Sequence, residues 1–283
     1  MSKVAVITIH GMGKTPANYA DELKNKLRAA LVSEWSQISF QAVYYQNLLQ
    51  SNQSRVFQDM ERHIEWKKPR EFLLYGFSDA ASLESSRGEV KGAYVQAQMQ
   101  VIGALRTAYA ELGGQPARVV IIAQSLGGQV LSNYIWDAQH PGRSGVWRNI
   151  ADYLEVDAHE QAFLALGSLY RLFTTGCNIP IFVAGHGNIQ PIAPPTPDFR
   201  WFNFYDADDV LGWPLQPLSP AYERLVEDIP SNMGHGIQGW LTSWNPLSHG
   251  NYWSDRGFLE ALLIEIRRGL ALAEPGTTSG SSG

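Results

Sequence analysis

The chain has 283 residues, 45% of them apolar and 17% charged, a composition that excludes a wholly disordered protein and allows one sizeable core. With 22 Lys and Arg against 27 Asp and Glu the net charge is −5 and no basic stripe is present, which argues against nucleic acid as a partner. The single cysteine, Cys177, excludes an internal disulfide and a Cys-rich metal site, and no run approaches the roughly 20 apolar residues of a membrane span.

In chain order, the first predicted element is a strand over residues 3–9, whose apolar run is too short for a signal-peptide core, so a cytoplasmic protein is expected. It ends at Ile9-His10-Gly11-Met12-Gly13 and is followed by a helix over 17–31 and a strand over 38–45. About seventy residues then precede the next strand, far more than a crossover needs. Residues 46–117 read as a helical insertion, with one helix over 92–112 and one or two more around 56–66 and 71–83, broken at Pro69; these read first as extra helices packed on the sheet, and as the sharper alternative Phe72, Leu73, Leu74, Tyr75 and Phe77 supply part of a lid or an acyl pocket. A strand over 118–123 runs into Ala123-Gln124-Ser125-Leu126-Gly127-Gly128 and then a helix over 126–139. Beyond it come a helix over 156–173 and a strand over 179–184, the latter leading to Gly185-His186-Gly187-Asn188. A strand over 200–205, a weaker one over 225–229 and a helix over 256–272 complete the pattern. Continuously apolar strands alternating with helices imply an α/β fold: a mostly parallel sheet of about six strands, in one domain over residues 1–275. Residues 276–283 read as a flexible Gly/Ser tail outside the fold, of the kind added for expression.

The segment around Ser125 carries the strongest chemical signal. A nucleophilic serine must stand clear of the sheet on a sharp strand-to-helix turn, and that turn admits only small residues two positions to either side. Ala123 and Gly127 occupy those positions. Ala123 departs from the usual glycine but meets the same steric demand. The glycine-rich loop after the first strand suits backbone N–H donors aimed at a developing oxyanion, and Met12 and Leu126 are assigned that role. Gly13-Lys14-Thr15 resembles the end of a phosphate loop, yet the motif wants its first glycine where this chain has Thr8, inside the first strand.

A base and an acid complete such a site in the order Ser, Asp or Glu, His. Of the 7 histidines, His235 and His249 follow the best acidic segment, Asp206-Ala207-Asp208-Asp209-Val210 at the end of a predicted strand. His249 is preferred, because it lies in a loop ahead of the last helix, whose N-cap is Ser254 or Asp255; His186 is placed near the site without acting as base. Asp209 is the chosen acid, with Asp206 and Asp208 as the alternatives. Trp213, Leu215, Trp240 and Trp244, lying between acid and base, and Tyr252, just after the base, are the candidate substrate contacts, with a place in the core as the alternative for each.

Together IHGMG, AQSLGG, the strand followed by DADDV and the late SHGNYW resemble the α/β-hydrolase superfamily, in particular small bacterial serine esterases and lipases with an HGxG oxyanion loop. The resemblance spans residues 3–272 in element order, but only these short motifs are specific. It implies a triad of Ser125, Asp209 and His249, with Met12 and Leu126 as oxyanion donors. An aspartate directly before an apolar residue, as Asp209 stands before Val210, matches the family's acid loop. The chain begins at the oxyanion-loop strand, which implies the smaller sheet of the minimal lipases. The expected reaction is hydrolysis of a small-molecule carboxylic ester through an acyl-enzyme, with no metal or organic cofactor. A thioesterase, amidase or acyltransferase on the same triad, or an inactive binding protein of the same fold, are the alternatives.

Overall fold

Apolar runs need cover on both faces, and the computed structural model, which describes residues 3–13, 15–48, 50–231 and 252–272, provides it in a six-stranded sheet. β1 (Val4–Ile9), β3 (Arg118–Gln124) and β4 (Leu169–Thr175) form its middle and are buried along their interiors. β5 (Arg200–Tyr205) follows, and β2 (Ile38–Val43) and β6 (Val226–Pro230) lie at the edges, partly open to solvent. The order is β2-β1-β3-β4-β5-β6, and every neighbouring pair is parallel.

Parallel neighbours require crossovers. α1 (Asp21–Ala30) joins β1 to β2, and α2 (Gln50–Met60), α3 (Lys67–Ser85) and α4 (Ala93–Glu111) lie between β2 and β3. α5 (Leu126–Gln139) and α6 (Ala158–Leu164) separate β3 from β4, α7 (Ile179–Val183) follows β4, α8 (Pro220–Leu225) precedes β6, and α9 (Arg256–Ala271) comes last. The two-residue period of a strand divides the core accordingly. Ala5, Ile7, Ile9, Val119 and Ile121 face a cluster with Val101 and Leu105 of α4 and Leu131 of α5. Val4, Val6, Val120 and Ile122 face the opposite cluster, with Leu23 and Leu27 of α1 and Phe258, Leu262 and Ile266 of α9.

The expected α/β architecture and the strand number hold, but one strand is displaced. Residues 179–184 are not a strand: Ile179–Val183 is the helix α7, with Pro180 in its first turn and Ile181 46% exposed. Proline suits a helix start, where its missing N–H costs nothing. The fourth strand instead begins inside the predicted helix over 156–173 and runs two residues past its end. α6 ends at Leu164 because Leu166 adopts φ 60° and Gly167 donates back to the Ala162 carbonyl at 2.9 Å, a left-handed helix stop. β4 then begins at Leu169. Its Arg171, 4% exposed, breaks the apolar run and imitates a helical pattern; in the fold it pairs with Glu265 of α9, itself 5% exposed. Pairing is what makes a buried charge tolerable.

Within the predicted insertion, α4 belongs to the core, whereas α2 and α3 pack on one another through contacts such as Ser54 Oγ to Tyr75 Oη at 2.8 Å. Tyr75 is buried, while Leu73 and Phe77 are 42% and 63% exposed. Among the described residues no helix is long and apolar enough to cross a membrane.

The chain leaves β1 to form β2 on one side and returns to form β3 on the other. Such a switch in direction opens a crevice at the carboxyl ends of the two strands, where open α/β sheets hold their ligands. Ile9 and Ala123 are paired at those ends, so His10-Gly11 leaves the sheet beside Gln124 and Ser125.

Candidate functional site

Ser125 sits between the end of β3 and the start of α5 with φ 51° and ψ −123°. A β-carbon disfavours that conformation by on the order of 1–3 kcal/mol, and such strain persists only where the surroundings enforce it. Here they do. The Ser125 N–H donates to the Thr175 carbonyl at 2.9 Å, and its own carbonyl accepts from Gly128 N–H at 2.9 Å. The side chain is fully buried, and its Oγ has no hydrogen-bond partner among the described residues.

The small neighbours are required by contact. A β-carbon on Gly127 would lie 2.5 Å from the His10 carbonyl oxygen, and one on Gly128 would lie 2.9 Å from Cys177 Sγ. Gly11 is closer still to the serine, since a β-carbon there would stand 2.7 Å from Ser125 Cβ. The loop after β1 therefore presses directly on the Ser125 side chain. Leu126 is the first residue of α5, where helical N–H groups have no intrahelical acceptor. Neither its N–H nor that of Met12 meets an acceptor among the described residues.

His10 fixes the base of this loop. Its Nε2 accepts from Tyr45 N–H at 3.2 Å, so Nδ1 carries the proton and donates to the Gly11 carbonyl at 2.7 Å. The ring stacks on Tyr45 with centroids 4.1 Å apart, and Tyr45 Oη donates to the His10 carbonyl at 2.9 Å. Burial pushes the imidazole down to about 4, outweighing the upward pull of its Gly11 bond, so His10 is neutral at physiological pH.

The three aspartates after β5 divide their work. Asp206 Oδ1 accepts from Asp208 N–H at 2.9 Å, closing a tight turn, and Asp208 is exposed at its tip. Asp209 is half-buried: Oδ1 accepts from Leu211 N–H at 3.0 Å and Oδ2 from Tyr252 Oη at 2.8 Å. A β-carbon on Gly212 would lie 2.7 Å from Asp209 Oδ2 and 3.0 Å from Gly176 Cα, in the loop that follows Thr175. Ser125 and Asp209 are thus joined through the end of β4, at the same edge of the sheet.

Tyr252 is buried, with its hydroxyl between the Asp209 carboxylate and the Asp206 N–H, which donates to it at 3.0 Å. Burial, then the Asp209 charge, pushes its phenol well above the ordinary range. Trp213 is 45% exposed over the same loops, its N–H donating to the Cys177 carbonyl at 3.0 Å, while Leu215 is part of the core. His186 lines a cavity of about 430 Å³ together with Gln129, Asn133, Trp136 and Phe182. Gln129 is one turn along α5 from Ser125. His235, Trp240, Trp244 and His249 lie outside the described residues.

Three polar groups at this edge escaped the sequence reading. Asp228 on β6 accepts from Leu215 N–H at 2.9 Å, Gln216 N–H at 2.8 Å and Asn203 Nδ2 at 2.7 Å, anchoring the segment after the acidic turn. Asn178, just after β4, is fully buried with neither amide atom hydrogen-bonded among the described residues. Asp79 of α3 accepts from Gly13 N–H at 3.3 Å. Asp228 and Asp79 have no local signature, because each acquires its role from a segment distant in sequence. Among the described residues no group of three or more His, Cys, Asp or Glu side chains is placed to hold a metal ion. A scan against protein-family models finds no match to this chain, and neither does a search of curated proteins.

Proposed function

We propose that this chain is a serine hydrolase of the α/β-hydrolase kind that cleaves carboxylic esters. One observation carries the reading: Ser125 is held in a strained turn at the strand-order switch, pressed against a glycine loop. On this reading Ser125 Oγ attacks the acyl carbonyl while His249 takes its proton, and His249 later returns that proton to the departing alcohol. Asp209 orients the imidazole. Its support is the Tyr252 bond, since His249 stands three residues before Tyr252 in the sequence, a span of at most about 11 Å. The N–H groups of Met12 and Leu126 receive the charge that develops on the carbonyl oxygen. Water then releases the acid from Ser125.

The test is covalent labelling with a fluorophosphonate, followed by peptide mass mapping and turnover on p-nitrophenyl esters of increasing acyl length. Labelling at Ser125 together with ester turnover is the expected result. Folded protein that takes up no label is a binding protein instead, and labelled protein that turns over thioesters or amides in preference to esters moves the leaving group.

Gly11 offers a second check. In Gly11→Ala the new methyl meets Ser125 Cβ at 2.7 Å and must displace the serine or the loop. A shift of about 1 Å at a reacting centre costs on the order of 10²-fold in rate. Turnover per folded molecule is expected to fall by about that factor, with kcat carrying most of the loss; unchanged kcat contradicts a catalytic role for this contact.

A further inference from the structure

Asp79 lies 66 positions from Gly13 in sequence, yet it is fully buried against it. Burying a carboxylate is costly unless something satisfies it. What satisfies this one is the loop: Oδ2 accepts from Gly13 N–H at 3.3 Å, and Oδ1 accepts from Gln53 Nε2 of α2 at 2.7 Å. The buried Gln46 amide stands near enough to favour the charge, without forming a hydrogen bond of ordinary geometry. No cation forms an ion pair with Asp79 among the described residues.

α3 grips the same loop at a second point. Gly76 precedes Asp79 by one turn, on the same face of the helix. A β-carbon on Gly76 would lie 2.4 Å from Met12 Sδ, so the glycine leaves the notch that seats the Met12 side chain. Gly13, at φ 88°, adopts the left-handed turn that carries its N–H to the carboxylate. The side chain of Met12 and the N–H of the next residue are both held by α3, which leaves the Met12 N–H without an acceptor among the described residues.

We propose that Asp79, with the Gly76 notch, is a positioning device for the oxyanion loop: α3 sets the direction of the Met12 N–H by holding the Met12 side chain and the N–H of Gly13. This rests on the ester-hydrolase reading of Ser125. It gives the segment between β2 and β3 a part in catalysis without requiring it to move.

The chemistry predicts how substitutions rank. Asp79→Ala removes the acceptor and frees the loop. Asp79→Asn can restore it, because Gln53 Oε1 has no partner among the described residues: turning the Gln53 amide over lets that oxygen accept from Asn Nδ2, while Asn Oδ1 accepts from Gly13 N–H. Burial holds the Asp79 carboxyl up at about 6, so its charge is less favourable here than in water and a neutral amide is the smaller change. Gly76→Ala disturbs the clamp from the other side, by filling the Met12 notch.

The experiment measures kcat and KM on a p-nitrophenyl ester, with kcat expressed per site titrated by fluorophosphonate so that unfolded molecules do not count. Asp79→Ala is expected to lower kcat by about 10- to 100-fold with KM within about threefold of wild type, and Gly76→Ala to lower it by less, because the flexible Met12 thioether can give way; both effects are smaller than deleting an oxyanion donor outright. Asp79→Asn is expected to recover most of the lost rate. Wild-type kcat in Asp79→Ala or in Gly76→Ala overturns the proposal, and so does an Asn variant as slow as the Ala variant. Failure of the wild-type protein to take up the label removes the ester-hydrolase reading itself, a result distinguishable from failure of the clamp.

Discussion

Ser125→Ala is expected to lower ester turnover by about a million-fold, and His249→Ala to do nearly the same, because a nucleophile and its base act as a unit. The double variant should be little slower than either single one. Residual catalysis then comes from the oxyanion donors and substrate binding, which neither change removes. The fold is expected to survive at Ser125. Alanine adopts φ 51° with the same strain as serine, and its introduction removes a buried hydroxyl that has no partner among the described residues. Thermal midpoints of Ser125→Ala and the wild type should therefore agree within a few degrees. Ser125→Gly should be equally inactive and no less stable, since glycine relieves strain of about 1–3 kcal/mol against an entropic cost of about 0.5–1 kcal/mol. His235→Ala is the control and should be mild. Near-wild-type turnover in folded Ser125→Ala ends the ester-hydrolase reading, and a severe His235 effect beside a mild His249 effect moves the base.

The parts of this site that were legible in the sequence are those in which one short segment carries several constraints at once. Val119 to Ala123 must be a buried strand, Gly127 and Gly128 must be small, and the residues after them have helical spacing. Those signals agree, and α5 begins and ends where the pattern puts it. The same holds for β5, whose observed bounds match the predicted ones. β4 was misread because its seven residues are buried on both faces, so the alternation that marks a half-exposed strand is missing, and Arg171 supplies a false polar face. Only the partner in α9 shows that the arginine is buried and paired. The apolar run at Ile179–Val183 misled in the opposite way: its composition is β-branched, but Pro180 and the exposed Ile181 belong to a helix. Asp79 was illegible for a third reason, since a carboxylate in the middle of a helix usually faces solvent, and nothing nearby records that Gly13 will arrive against it.

The acid is the point at which sequence and structure bear on each other most closely. Three aspartates within four positions compete for the role in the sequence, where Asp209 is preferred, and their hydrogen bonds differ. Asp208 is exposed, and Asp206 holds its own turn by accepting the Asp208 N–H at 2.9 Å. Asp209 is fixed at both oxygens, by Leu211 N–H at 3.0 Å and Tyr252 Oη at 2.8 Å. A triad aspartate holds the histidine in the tautomer that accepts the serine proton, and asparagine in its place costs about 10⁴-fold in turnover even where the geometry survives. Asp209→Asn is accordingly expected to lose about four orders of magnitude in kcat with little change in KM. Asp208→Asn should retain most of its activity. Asp206→Ala should lose stability, about 1 kcal/mol for the turn's hydrogen bond and so a few degrees in thermal midpoint, while each folded molecule stays active. Turnover and melting measured together for the three variants separate these roles, and a folded Asp209→Asn protein with near-normal turnover assigns the acid to one of its neighbours.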